Sequence, residues 1–121
     1  MKTPIFDNSS GISEEECLAI YDNSYDFYVS VLKAFYKESL ETAEKMKRAL
    51  EAGEYEEYRI MVHGLKGSSG AIGAHKLLEL ATVANEKLKA KDIEGGTAYN
   101  EEILDEIKRI RGLISDNVLN I

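Results

Sequence analysis

Apolar side chains recur at intervals of three and four residues along most of this 121-residue chain. This spacing is typical of helices that bury one face. Alternating apolar and polar residues form no run long enough to predict a strand, and the one proline, Pro4, lies near the start. The sequence therefore predicts an all-α protein with a single core.

Turn signals divide the chain into one short and four long predicted helices. The short helix spans about 14–21, after Ser13 and Glu16, which have the spacing of a capping box. The long helices are predicted at about 24–52, at 54–72, at a segment carrying Leu77 to Leu88, and at 97–118, with breaks at Gly53, Gly73 and Gly95-Gly96. Short connections favour antiparallel neighbours, so we predict an up-down-up-down four-helix bundle with the short N-terminal helix over one end. Residues 1–12 are predicted to be a flexible lead-in, and residues 13–121 to form the domain.

The segment 54–72 surrounds a histidine with small residues, and it reads HGLKGSSG from His63 to Gly70. Its apolar stripe indicates a helix rather than a glycine loop, and it consists of Tyr58, Met61, Val62, Leu65, Ser69 and Ile72. At about 100° per residue, a second face points away from this stripe. That face carries His63, Lys66, Gly67 and Gly70, with Arg59 one turn earlier. We therefore expect the His63 imidazole to be exposed.

Glycine in a helix interior costs roughly 1 kcal/mol relative to alanine, so Gly64, Gly67 and Gly70 need a reason. One is close packing of another helix of the chain. The other, which we favour because Gly67 and Gly70 share the histidine's face, is access for a partner protein. Arg59, Lys66 and Lys76 predict a local positive charge suited to a phosphoryl group or to an acidic pocket of that partner.

Composition excludes several classes of function. The net charge of −7, spread over helical faces, argues against nucleic acid or anionic membrane as the partner. Apolar runs are too short to span a bilayer, no signal-like segment opens the chain, and Cys17 is alone, so we expect a cytoplasmic protein. His75 is interpreted as a solvated or turn-stabilising residue, and Glu14-Glu15-Glu16 as first-turn charge that complements the helix dipole. The spacing of the two histidines predicts no metal site.

The stretch His63-Gly64-Leu65-Lys66-Gly67-Ser68-Ser69, followed by Ile72-Gly73-Ala74 and Leu77, resembles the signature of histidine-containing phosphotransfer (HPt) domains of multistep two-component phosphorelays. The resemblance implies that His63 is the phosphoacceptor, that Lys66 contacts the phosphoryl oxygens, and that Gly67 keeps the docking surface open. It also implies that the partners are receiver domains of response regulators or hybrid histidine kinases. Their aspartate and Mg²⁺ would complete the active site, so this chain is expected to be a monomer without a cofactor of its own.

Two positions depart from that signature. Gly64 stands where the family usually has alanine, threonine or a bulkier residue. Many members carry glutamate or glutamine on the next helix, facing the histidine, where this chain has Asn85 followed by Glu86. We expect Asn85 to donate a hydrogen bond to the imidazole or the phosphoryl group, with Glu86 in its place if the register differs by one.

A neutral imidazole is a competent nucleophile near neutral pH, and phosphoryl transfer depends chiefly on in-line positioning and charge neutralisation. No nucleotide-binding glycine loop is present, so we expect neither autokinase nor other enzyme activity. The hypothesis is a phosphohistidine carrier in signal transduction, which accepts a phosphoryl group on His63 from one receiver and passes it to another. The alternative is a non-phosphorylated helical adaptor that binds a receiver-like partner through the glycine-rich face. A two-histidine metal or cofactor bundle is a weaker third hypothesis.

Overall fold

The computed structural model describes residues 3–120 and is helical throughout most of that range. A 3₁₀ turn at Asn8–Ser10 precedes the first α-helix, and a π-helical turn at Ser115–Leu119 follows the last. The α-helices within the described residues are α1 (Glu14–Ile20), α2 (Tyr25–Glu51), α3 (Tyr55–Ile72), α4 (His75–Lys89), α5 (Ile93–Thr97) and α6 (Asn100–Ile114).

The four long helices pack as a ring around one core. Helix α3 packs between α2 and α4, and α6 closes the ring by packing against both of these helices. Fully buried side chains from all four helices fill the centre, among them Tyr28, Leu32, Met46, Val62, Ile72, Leu77, Ile103, Ile107 and Ile110. The predicted four-helix bundle with an additional short N-terminal helix is confirmed. Within residues 3–120, no helix is both long enough and apolar enough to cross a membrane.

The described part of the N-terminal segment, which we predicted to be a flexible lead-in, packs on the bundle. Phe6 is only 5% exposed, and the buried Glu14 carboxylate accepts hydrogen bonds from the backbone N–H groups of Ile5 and Phe6 at 2.8 and 2.9 Å. Arg109 of α6 donates to the Ser10 carbonyl at 2.7 Å. Glu14 therefore holds the incoming chain, which is more than the dipole role assigned to it. Residues 1 and 2 of the predicted lead-in, and residue 121 of the predicted domain, lie outside the described residues.

Helix ends follow the predicted signals at some positions and not at others. Ser24 caps α2, because its hydroxyl oxygen accepts the N–H of Phe27 at 3.2 Å, and Gly53 ends that helix with a φ of 70°. The capping box at Ser13 is wrong, since the Ser13 side chain makes no capping hydrogen bond.

The predicted chain break at Gly95-Gly96 is also wrong, because both glycines lie inside α5. Asp92 caps this short helix by accepting the Gly95 N–H at 2.9 Å. A Cβ at Gly96 would lie 2.5 Å from Leu88 Cγ, so glycine lets α5 pack directly on α4. The last helix consequently begins at Asn100 instead of residue 97.

Candidate functional site

His63 lies in the middle of α3 with its side chain exposed, as predicted. Within residues 3–120, its imidazole makes no hydrogen bond or ion pair. The opposite face of the helix is the predicted stripe, in which Tyr58, Val62 and Ser69 have no exposed surface. The core therefore fixes the rotation of α3 about its axis and turns the imidazole toward solvent.

Three tyrosines hold α3 near its two ends. The hydroxyls of Tyr21 and Tyr28 donate to the last carbonyls of the helix, those of Ala71 and Ile72, at 2.7 and 2.8 Å. Near the first turn, the Tyr58 hydroxyl donates to Asn100 Oδ1 of α6 at 2.9 Å. Burial raises the pKa of all three hydroxyls, that of Tyr58 to about 12, so they remain protonated donors at neutral pH.

The turn after α3 explains the Gly73-Ala74 part of the sequence motif. Gly73 has a φ of 82°, in the left-handed region that favours glycine. A Cβ there would lie 2.8 Å from the Ser13 carbonyl oxygen, and the Ser13 N–H donates to the Gly73 carbonyl at 2.9 Å. Ala74 is buried and bridges to Ile12. These two residues position α4 and the N-terminal segment, and they take no part in the exposed face around His63.

The glycines beside His63 are not required by packing inside the domain. A Cβ at Gly64 or Gly67 would meet no atom of residues 3–120 within 4 Å, and a Cβ at Gly70 would lie 3.9 Å from Leu78 Cδ2, an ordinary contact. Ser69 and Ser68 donate their hydroxyls to the Leu65 carbonyl of their own helix, at 2.6 and 3.3 Å. The surface around the imidazole is therefore open at these glycines, and the two serine hydroxyls beside them are already bonded to the helix backbone.

The positive charge near His63 is smaller than predicted. Arg59 donates two hydrogen bonds to the Glu56 carboxylate, at 3.0 and 2.6 Å, and this bonding lowers the pKa of Glu56. Lys76 lies 4.0 Å from the buried carboxylate of Glu106. Lys66 is half-buried, and its ammonium makes no ion pair within residues 3–120. Of the three predicted cations, Lys66 is the one that pairs with no carboxylate in the part of the chain that the structure describes.

The register of α3 against α4 places Asn85 level with His63. The two helices run antiparallel, because a two-residue turn joins them and they pack together. Gly70 and Leu78 face each other, with 3.9 Å between the Gly70 Cβ position and Leu78 Cδ2. His63 lies seven residues before Gly70, and Asn85 lies seven residues after Leu78. Seven residues make about two helical turns and return to nearly the same face of each helix. Because the helices are antiparallel, the step back along α3 and the step forward along α4 lead in the same direction.

Asn85 and Glu86 have opposite environments. Asn85 is only 3% exposed, and within the described residues its Oδ1 atom has no hydrogen-bond partner. Glu86 is exposed, since it is turned by about 100° around the helix. A buried amide oxygen without a partner costs about 1–3 kcal/mol. Asn85, not Glu86, is therefore the polar residue on the flank of α4 that faces α3.

His75 lies apart from this face, at the start of α4. Its side chain is exposed, and Nε2 lies 3.5 Å from Glu16 Oε2 of α1. Among the residues from 3 to 120, no group of three or more His, Cys, Asp or Glu side chains is close enough together to hold a metal ion. Cys17 is buried, and burial raises the pKa of its thiol.

The sequence matches a known protein family. A family model described as "Hpt domain" matches residues 30–113, which include most of α2, all of α3 and α4, and most of α6. The curated "Histidine-containing phosphotransfer protein 2" of Arabidopsis thaliana is 30% identical over 98 residues. This match covers 78% of the chain and 63% of that protein, so the chain spans less than two thirds of the relative's length.

Two crystal structures share the fold. The HPT domain of an Hpt sensor hybrid histidine kinase from Shewanella superposes with a TM-score of 0.83 at 20% identity, covering 93% of this chain and 97% of that domain. Histidine-containing phosphotransfer protein B from Pseudomonas aeruginosa gives a TM-score of 0.75 at 22% identity and covers 99% of each chain. At these identities the likeness concerns the arrangement of the helices.

Proposed function

The chain belongs to the Hpt domain family, and from this premise we propose that it is a phosphohistidine carrier of a two-component phosphorelay. His63 accepts a phosphoryl group from the aspartate of one receiver domain and passes it to the aspartate of another. The observation that carries this proposal is the exposed imidazole without a partner in residues 3–120, on a helix held at both ends and flanked by open glycines. Members of this family are carriers rather than enzymes, and we propose that this chain has no autokinase activity.

The transfer step requires little from this chain beyond position. A ring nitrogen of His63 attacks the phosphorus of the receiver's acyl phosphate with its lone pair. The phosphorus–nitrogen bond forms as the bond to the aspartate oxygen breaks, and the aspartate leaves as a carboxylate. The proton on the other ring nitrogen stays in place. Because the transition state is loose, positioning and charge neutralisation supply most of the catalysis.

Lys66 supplies this chain's part of the charge neutralisation. It lies three residues after His63, about one helical turn along the same face, and within residues 3–120 no carboxylate pairs with it. Arg59 is paired with Glu56, so we propose that it borders the docking face without contacting the phosphoryl group. The Mg²⁺ that phosphoryl transfer commonly uses is expected on the receiver.

Asn85 is proposed to be a positioning residue for the imidazole. It lies level with His63 across the α3–α4 groove and holds a buried amide oxygen without a partner in the described structure. That oxygen suits a ring N–H, and the amide nitrogen suits a phosphoryl oxygen. Glu86, exposed beside it, is proposed to contribute only charge at the rim of the docking face.

The docking face is proposed to be the exposed side of α3 that carries Gly67 and Gly70 next to His63. A receiver has to bring its phosphoaspartate to the imidazole, and side chains at these two positions would stand in its way. We propose that the chain acts in the cytoplasm, as a monomer, and with receiver domains of response regulators or hybrid kinases.

The test compares wild-type protein with His63→Gln and His75→Gln after mixing with aspartyl-phosphorylated receiver domains carrying radiolabel. Wild type and His75→Gln should acquire label that is lost in acid and kept in base, whereas His63→Gln should acquire none. His75 is the matched control because it is the chain's other histidine and is also exposed. Binding of receivers without transfer of label, despite active donors, would reject the carrier and support the adaptor.

A further inference from the structure

A small hollow lies between α2 and α3, immediately beside His63. Its volume is about 210 Å³, and its walls include Phe35, Thr42, Ile60, Met61 and Gly64. Pockets for small molecules usually measure roughly 300–1,000 Å³. The hollow is therefore closer in size to a single side chain than to a metabolite, and most of its wall is apolar or small.

Gly64 keeps this hollow open, although no packing contact in the described structure requires a glycine there. Its backbone is ordinary helix, and a Cβ would meet no described atom within 4 Å. Glycine weakens the interior of a helix relative to alanine, so Gly64 lowers the stability of α3. What the missing side chain does provide is unobstructed space one residue from the imidazole.

One exposed apolar side chain borders the hollow, and a second lies farther along α2. Ile60, one turn before Gly64, is 45% exposed. Phe27 is 52% exposed and lies about three helical turns before Glu38 on the same face of α2. Single exposed apolar residues are common on protein surfaces, but those beside a docking residue indicate a contact surface. The α4 side of His63 carries polar groups instead, namely Lys66 and Glu86.

The rim of the hollow carries one negative charge. Glu38 is exposed and lines the hollow, and its carboxylate makes no hydrogen bond or ion pair with any residue from 3 to 120. Such a group is complementary to a lysine or arginine of a partner. Charge pairs at a rim favour some partners over others more than they add affinity.

We infer that this hollow is the socket for one apolar side chain of the docking receiver domain, with a lysine or arginine beside it that pairs with Glu38. The inference rests on the proposed carrier function and adds which receivers are accepted. A receiver that brings phosphoaspartate to His63 must also cover Gly64, the next residue. Side chains that fill pockets at the centre of an interface dominate its binding energy. Receivers with a small or acidic residue at this place are therefore poor donors.

The test fills the socket by giving residue 64 a large apolar side chain. Gly64→Leu is compared with Gly112→Leu. Gly112 is an exposed glycine of α6, and a Cβ there would likewise meet no atom of the described residues within 4 Å. Both variants should fold, because leucine favours helix at both positions. Each is assayed with a panel of aspartyl-phosphorylated receivers and with phosphoramidate, a small donor that needs no docking.

Gly64→Leu should raise the KM for receiver donors by about tenfold or more, the loss of one interface anchor. Gly112→Leu should match wild type, and labelling of all three proteins by phosphoramidate should be equal. Glu38→Lys should raise the KM for receivers that carry a lysine or arginine beside the apolar side chain. Glu44→Lys, the same charge change elsewhere on α2, should leave that KM unchanged.

Two results would overturn the inference in distinguishable ways. If wild type accepts label from receivers and Gly64→Leu does so with an unchanged KM, the socket is wrong and the carrier function stands. If wild type accepts label from no receiver, the carrier function fails and the socket fails with it.

Discussion

The strongest prediction about stability concerns Gly73, because two separate constraints act on this residue. Its φ of 82° is unfavourable for any residue with a side chain, and the Ser13 carbonyl oxygen would lie 2.8 Å from an added Cβ. The left-handed conformation costs roughly 1–2 kcal/mol for an L-residue. Forcing atoms into a packed site typically costs about 1–3 kcal/mol more. Gly73→Ala should therefore lower the free energy of unfolding by about 2–5 kcal/mol.

The chain provides a control that separates the two constraints. Gly53 also has a positive φ, 70°, but a Cβ there would meet no atom within 4 Å in the described part of the chain. Gly53→Ala should therefore lose only the conformational part, roughly 1–2 kcal/mol. Urea unfolding followed by far-UV circular dichroism measures both variants, with equal m-values required for the comparison. Equal losses in the two variants would show that the approach of Ser13 to Gly73 does not constrain the fold.

Three further predictions concern the site and the tyrosines that support it. Lys66→Ala should slow transfer from receivers about tenfold without changing urea stability, as expected for one charged contact to a phosphoryl group, and unchanged rates would remove Lys66 from the mechanism. Asn85→Leu should hold or raise stability, because it removes a buried amide oxygen without a partner, yet slow transfer; equal transfer would refute a positioning role. The folded-state pKa of Tyr58 is raised to about 12 from an ordinary value of 10.0. The stability that its buried, protonated hydroxyl gives the folded state is therefore complete below pH 10 and is lost as pH rises toward 12. Urea unfolding at a series of pH values should show a smaller loss of stability with rising pH for Tyr58→Phe than for wild type. An equal loss in both proteins would contradict the burial of an un-ionised hydroxyl.

The helical periodicity was sufficient to predict the bundle and the orientation of α3. The stripe from Tyr58 to Ile72 repeats over about four turns, so its buried face and the exposure of His63 follow from spacing alone. The N-terminal segment has no such repeat. Ile5 and Phe6 are two adjacent apolar residues, too few to show a period, and the hydrogen bonds that Glu14 accepts form only after the chain has folded back. Local sequence therefore contains no signal for that contact.

The electrostatics of the site were predicted less well than its shape. Arg59 and Glu56 are three residues apart on one helix, so spacing alone could have identified that pair. Lys76 and Glu106 lie on different helices, and nothing in the sequence joins them. The choice between Asn85 and Glu86 depended on the α3–α4 register, which the contact of Gly70 with Leu78 determines in three dimensions.

The tyrosine hydrogen bonds have a mechanical consequence for α3. Tyr58 joins the first turn of the helix to α6, and Tyr21 and Tyr28 bind its last two carbonyls. Between these anchors lie Gly64, Gly67 and Gly70, which make the middle the least rigid part. We therefore expect the thermal motion of α3 to be mainly a bending of its middle. Because His63 lies there, small displacements of the imidazole need no separation of α3 from the bundle, and amide hydrogen exchange is expected to be faster in the middle of the helix than in its last turn.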